Sequence, residues 1–423
     1  MRSSTPGGWH MRRQVRISGV VAGAVGIALA TLSLSTPSAS ASPAPITLAL
    51  VTSLTGPSAP ETASDPAGFL ARIALQNAEG GVNGHKLVPL VVDDQTSPSE
   101  IVTGVQSAMS KGAFGIVSAS PLFFLAAKYP QQQGVPVTGS YTDGPEWGQQ
   151  PYTNMFSSDL GSVDPSYPVN TLEGKILREF GGTVLGSYGY SISPSSSREA
   201  GQEVKSFEHA GGKLGVLDTS VPFGGMDFTS AALVAKQQHV NALFPTMIDA
   251  SDFALATALE QAGVQLKAAV FATGYAPDVI NSPSWTYLQG DEFLSIYRPF
   301  SLPDAGTEQM AAALQKYEHF SKTQFPTLFQ YETWAGADLM IKGLQMAGAD
   351  PTRAAVIKDL RSIKNYTANG LLPKPIDYAT NFGHDPAEQC VWVLRAEEKG
   401  FVPASSQPVC GTDIKGTSST NSS

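Results

Sequence analysis

The residues able to do chemistry are few and widely spaced. The six histidines, His10, His85, His209, His239, His319 and His384, never fall at metal-ligand spacing. There is no G-x-x-x-x-G-K-[ST] phosphate loop, no strand followed by G-x-G-x-x-G, no G-x-S-x-G elbow and no H-E-x-x-H pair. No catalytic residue, metal ligand or cofactor is therefore assigned. An exported hydrolase, with a triad drawn from distant positions, is the competing class. What the spacing offers instead is polar backbone at loop ends. Asp65-Pro66 and Ser120-Pro121 each read as an N-cap followed by the first helical residue. The first N–H groups of such a helix lack intrahelical partners, and with the helix dipole they suit an anionic or carbonyl oxygen. The plainer reading makes both residues caps and nothing more.

These loops need strands and helices to hold them. Residues 46–53 form a compact apolar run, a first strand, and 87–92 form a second that ends at Asp93-Asp94. Further strands are predicted at 114–117, 183–186, 213–217, 242–245 and 268–272, and another begins at Val135. Between them Phe69, Leu70, Ile73 and Ala74 mark an apolar stripe at helical spacing. Helices are also predicted near 98–110, 121–133, 195–210, 227–239 and 250–262. Polar loops follow several strands, at 53–59, 118–120, 138–143 and 187–191. This alternation predicts an α/β fold of parallel sheets covered by helices. It is too long for one sheet, so two doubly wound lobes are expected, with ligands outside the carboxyl ends of the strands.

Of the 423 residues 42% are hydrophobic and 15% charged, with 41 Gly and 30 Pro, enough apolar side chain for a core and many tight turns. The net charge of −9 gives no basic footprint, so nucleic acid is not an expected partner. Residues 1–41 read as a signal peptide: Arg12, Arg13 and Arg16, then small apolar residues over 17–34, then Ala39 and Ala41 in the A-x-A positions. A membrane anchor is the alternative. Cleavage near Ala41 removes four Arg and no acid and takes the charge from −9 to −13. No other segment is long and apolar enough to span a bilayer, so a soluble periplasmic or cell-envelope protein is expected. Export permits oxidation. Cys390 and Cys410 are predicted to join rather than stay free, closing a loop of about 20 residues worth roughly 3 kcal/mol. The Gly/Ser/Thr-rich stretch 411–423 reads as a disordered tail.

The run Thr55-Gly-Pro-Ser-Ala, then Gly68, then Asn77-Ala-Glu-Gly-Gly-Val-Asn-Gly84 resembles the first lobe of type I periplasmic solute-binding proteins, in particular the leucine/isoleucine/valine-binding type that serves ABC importers. Asp93-Asp94, Gly115-Ile-Val-Ser-Ala-Ser120, Gly134-Val-Pro-Val137, Asp227-Phe228-Thr229, Tyr331-Glu-Thr-Trp-Ala-Gly-Ala337 and Gln345-Met-Ala-Gly348 extend the resemblance over 46–400. It implies two lobes joined by three crossover strands, near 156–159, 296–299 and 367–377. Lobe one is then 46–157 plus 299–367, and lobe two is 159–297 plus 377–400. It further implies a monomer that closes its hinge on one small-molecule ligand and is read by an ABC permease, with no chemistry done on the ligand.

The resemblance also carries site residues over one by one. The family's carboxylate-holding serine falls on Ser120, beside Ser118, and the next contact loop falls on Tyr141, Thr142 and Asp143. An aromatic of the first loop falls on Glu61. Lobe-two tyrosines fall near Tyr190 or Ser191 and near Asp249. The acid that takes a ligand ammonium falls around Thr273-Gly274-Tyr275, where this chain has no carboxylate. With acids at Glu61 and Asp143 and none at the ammonium end, two ligand classes stay open. One is a branched-chain or other amino acid; the other is an aromatic, amide-like or apolar solute. A sensor subunit that shows its ligand to a membrane receptor kinase would use the same closure.

Overall fold

The computed structural model describes residue 14 and residues 43–139, 144–159, 168–380 and 388–417. The chain divides into two units, 1–41 and 42–423. The expected signal peptide lies, but for Gln14, outside the described residues, as do Tyr141, Thr142 and Asp143. Among the described residues no helix is long and apolar enough to cross a membrane.

The first sheet contains β1 (Ile46–Thr52), β2 (Leu87–Asp93), β3 (Gly115–Ser118), β4 (Val137–Gly139) and β5 (Met155–Ser157), in the order β2-β1-β3-β4-β5. Every pairing is parallel. β1 is buried at all positions except Thr47, because helices cover both faces and a parallel strand then reads as one apolar run. The second sheet repeats the pattern with β6 (Val184–Tyr190), β7 (Lys213–Val221), β8 (Ala242–Thr246), β9 (Ala268–Phe271) and β10 (Glu292–Ser295), in the order β7-β6-β8-β9-β10, again parallel. β11 (Glu388–Glu397) then adds antiparallel to β10, and β12 (Gly400–Pro403) and β13 (Val409–Thr412) pair with β11. In each sheet the strand order reverses beside the opening strand, between β1 and β3 and between β6 and β8. Such reversals leave a crevice at the carboxyl ends of the strands where open α/β sheets take ligands. The expected α/β fold of two parallel-sheet lobes is present.

Helices α1 (Ala59–Thr62), α2 (Pro66–Ala78), α3 (Pro98–Ser110) and α4 (Lys128–Gln132) interleave the first sheet. α5 (Leu172–Glu179), α6 (Pro194–His209), α7 (Thr229–Gln237) and α8 (Asp249–Gln261) accompany the second. α9 (Ala305–Tyr317), α10 (Leu328–Met346) and α11 (Arg353–Leu360) follow β10 in the chain, yet α10 packs on β3, β4 and α2 of the first half. The close approach of α2 to α10 requires Gly68, where a Cβ would stand 2.0 Å from the Gln330 carbonyl oxygen. Arg72 reaches across the same seam to Asp338 at 2.9 Å. The chain thus passes between the sheets three times, and tyrosines tie the passing segments together. Tyr297 donates to the Ser158 carbonyl at 3.2 Å, Tyr378 donates to the Ser157 carbonyl, and Tyr366 bridges to Ile376.

Three local expectations give way. No helix runs over 121–133; a 3₁₀ turn at Phe123–Leu125 comes first and α4 begins only at Lys128. Pro130 is the reason. In mid-helix it would lack a needed N–H and clash with the carbonyl of residue 126, whereas the first turn of α4 needs no donor there. Ser120 therefore caps no helix. α2 does start at Pro66, but the Asp65 carboxylate accepts from the Thr52 hydroxyl at 2.7 Å instead of capping it. Residues 411–417, expected within a disordered tail, are held by the entry to α5. The Thr171 N–H donates to the Thr412 carbonyl at 2.9 Å and the Ile414 N–H to the Val169 carbonyl at 2.8 Å. The expected disulfide is present: Cys390 and Cys410 stand opposite each other in the β11–β13 register and are bonded.

Candidate functional site

The two crevices open onto a pair of adjoining cavities, of about 90 and 120 Å³. The smaller is walled by Glu61 and Pro121 from the segments after β1 and β3, by Tyr190 at the end of β6, and by Thr246, Met247 and Ile248 at the end of β8. The larger runs from Ala272 and Thr273, after β9, to Glu173 on α5 and Cys390 on β11. Glu199, Ala272, Thr273 and Phe329 belong to both. The walls therefore come from the carboxyl ends of both sheets.

Carboxyl groups dominate these walls. Glu61, the third residue of α1, accepts the Asp249 backbone N–H through Oε2 at 3.0 Å. Burial raises Glu61 well above the usual carboxyl range, and the Asp249 charge adds to it. Burial also lifts Asp249 to about 6, opposed by the Thr273 hydroxyl that donates to its Oδ1. Asp249 and Asp252 sit in the first turn of α8, where free N–H groups and the dipole favour negative charge. Burial and Asp249 nonetheless hold Asp252 well above its ordinary range. Around the larger cavity burial raises Glu199, and burial plus Glu199 takes Glu173 to about 7. Glu203, behind them, is raised by burial and by both neighbours. Among the described residues no Lys, Arg or His lines either cavity.

The residues expected at the site divide into three groups. Glu61, Tyr190 and Thr273 line the cavities, with Asp249 bonded to two of them. The Tyr190 hydroxyl donates to Ser251 at 2.7 Å, and its ring lies 4.7 Å from that of Phe223. Ser118, Ser120, Ser191 and Tyr275 line neither cavity. Ser118 is buried at the end of β3 opposite Gly139, and Ser191 is exposed with its hydroxyl directed to the Val221 carbonyl at 3.4 Å. The Ser120 hydroxyl donates to Asp94 and accepts the Leu122 N–H at 3.1 Å. Tyr275 is turned away by Gly274, whose φ of +89° sends the ring into a cluster with Phe325 and Phe401. Tyr141, Thr142 and Asp143 form the third group, outside the described residues. Sequence reasoning missed Glu173, Glu199 and Phe329. Glu199 had a signal, since it lies early in the helix that Ser193 caps directly after β6. Phe329 had one too, the Thr327-x-x-Gln330 capping box that opens α10. Glu173 had none, because its helix precedes the strand it serves.

The sequence profile of the periplasmic binding protein family matches residues 45–401. No curated protein matches the chain. Among solved structures, a fatty acid ABC transporter substrate-binding protein from Thermomonospora curvata has TM-score 0.70 and 17% identity, covering 88% of this chain and 93% of its own. A leucine binding protein from Thermotoga maritima has TM-score 0.70 and 14% identity, covering 88% and 100%. A solute binding protein of an ABC transporter from R. palustris, in complex with benzoate, has TM-score 0.69 and 13% identity, covering 88% and 98%. At these identities the likeness is one of fold.

Proposed function

Since the chain belongs to the periplasmic binding protein family, we propose that it is an exported receptor that captures one small organic solute between two lobes and presents it to an ABC permease. The observation that carries this reading is the shared wall: Glu61 and Pro121 from one crevice face Tyr190 and Ile248 from the other. A solute seated there touches both sheets at once, so its binding energy favours the state in which they are close. We take lobe one as 46–157 plus 299–367 and lobe two as 159–297 plus 377–400. The segments between them, held by Tyr297 and Tyr378, act as the hinge. Residues 1–41 direct export. In this reading the conformation described above is the closed one, with α1 against α8. Glu61, Tyr190, Asp249, Thr273, Glu199 and Phe329 form the binding surface. The fold carries solutes of unlike chemistry, since one similar protein is named for leucine, another for fatty acid, and a third holds benzoate.

Small-angle scattering tests the reading. The ligand-free protein is expected to be larger than the closed structure and to contract when a solute binds. A solute at 100 times its Kd is also expected to add about 2.7 kcal/mol of stability. If no class of solute moves the melting midpoint, or the bound protein keeps its ligand-free dimensions, the reading fails.

A further inference from the structure

We propose that the solute is an organic cation without a carboxylate, an amine or polyamine whose charge is held by Glu61 with Asp249 in the smaller cavity, by Glu199 where the two cavities adjoin, and by Glu173 in the larger. The inference rests on the solute-binding reading and adds the charge of the solute to it.

Four observations converge. First, the described lining of the two adjoining cavities carries five acids, Glu61, Asp159, Glu173, Glu199 and Glu332, with Glu199 common to both, and among the described residues no Lys, Arg or His. Behind those walls Asp252 Oδ1 and Glu203 Oε2 have no hydrogen-bond partner, and the two residues are only 1% and 3% exposed. An incoming carboxylate would meet acidic groups in both cavities, and its charge would disfavour their ionised forms.

Second, the hydroxyl that would receive a carboxylate is committed elsewhere. Ser120 donates to Asp94, and Asp94 also takes the Ser53 hydroxyl at 2.5 Å and the Thr96 N–H at 2.8 Å. That network puts another acid, Asp94, directly behind Ser120.

Third, Glu61 and Asp249 lie together, with the Asp249 N–H on Glu61 Oε2 at 3.0 Å, and burial favours the neutral form of both. An ammonium brings a positive charge and three N–H donors to such a pair and can satisfy both carboxylates.

Fourth, aromatic side chains stand among the walls, including Phe329, Phe244, Phe223 and the ring of Tyr190. Such faces attract a desolvated cation and cover a hydrocarbon body. Among the described residues no group of His, Cys, Asp or Glu is arranged to hold a metal ion, which leaves an organic cation as the charge that fits.

Isothermal titration of the full chain, with its disulfide intact, decides the matter. The probes are putrescine and agmatine, each set against its carboxylated parent, ornithine and arginine. Spermidine, leucine and benzoate complete the set. At least one amine is expected to bind, and its parent amino acid at least tenfold more weakly. Glu61→Gln and Glu199→Gln are each expected to lower amine affinity roughly thirtyfold or more, the scale for removing one partner of a buried charge pair, while the melting midpoint is kept or raised. If leucine or benzoate binds and the amines do not, the cation inference falls and solute capture stands. If an amine binds without contraction in scattering, the charge assignment stands and the closure reading falls. If nothing in the panel binds, the inference falls. Affinities unchanged in both Gln variants would also overturn it.

Discussion

Glu173 shows what burial does to a single carboxyl group. Its pKa in the folded protein is about 7, raised by burial and then by Glu199, against an ordinary value of 4.5. A raised carboxyl binds its proton more tightly when folded. Its contribution to stability is therefore complete below about pH 4.5 and is lost as pH rises through about 7. One pKa unit is worth about 1.4 kcal/mol, so the loss is on the order of 3 kcal/mol for this group. Asp249, at about 6, adds to it with the same sign over a lower window. The melting midpoint of the ligand-free protein is accordingly expected to rise by several degrees between pH 8 and pH 5. Glu173→Gln, which keeps the shape and removes the titration, is expected to stabilise the protein at pH 8 and to give no gain at pH 4.5. Calorimetry across that range checks both, and a midpoint that falls steadily from pH 8 to pH 5 would contradict them.

Among elements, the seam between α2 and α10 joins segments about 260 residues apart in sequence and leaves no room for an added side chain at Gly68. At Gly68 an added Cβ would lie 2.0 Å from the Gln330 carbonyl oxygen and 2.6 Å from Thr333 Oγ1, so Gly68→Ala must push two helix backbones apart. A cost of about 3 kcal/mol is expected, at the upper end for overpacking. Gly201, in the middle of α6, has nothing within 4 Å of an added Cβ. Gly201→Ala is expected to stabilise by about 0.5–1 kcal/mol, through helix propensity alone. Urea titration of the two variants gives opposite signs, or the packing argument is wrong. This contrast also explains which parts of the fold were legible in the sequence. Strand and helix alternation is written in local periodicity, and the sheets followed from it. α1 was missed because four residues are too few to show a period, and the helix at 121–133 was overextended because Pro130 was read through. Of the residues that the family resemblance carried over, Glu61, Tyr190 and Thr273 line the cavities and Asp249 is bonded to two of them. Glu173 and Glu199 join Glu61 only through tertiary packing, which no local pattern records. Tyr275 lines neither cavity, because the chain turns at Gly274 and its ring packs with Phe325 and Phe401.

For the molecule as a whole, the Cys390–Cys410 bond fixes β13 to β11, and β13 in turn holds the entry to α5. It closes a loop with a sequence separation of 20. Reduction is expected to lower stability by roughly 3 kcal/mol, seen as a drop in melting midpoint on adding a thiol; fully reduced protein with an unchanged midpoint would show that strand pairing alone suffices. The order of the strands has a separate consequence, in time. The first sheet is covered by α10, residues 328–346, and the second gains β11 only from residues 388–397. A growing chain therefore cannot complete either half until most of its length has left the ribosome, and pairings between such distant segments form slowly. Under the proposed export, this order leaves the polypeptide pliant while it is threaded through a membrane and lets it stiffen only after its last strand and its second cysteine have followed.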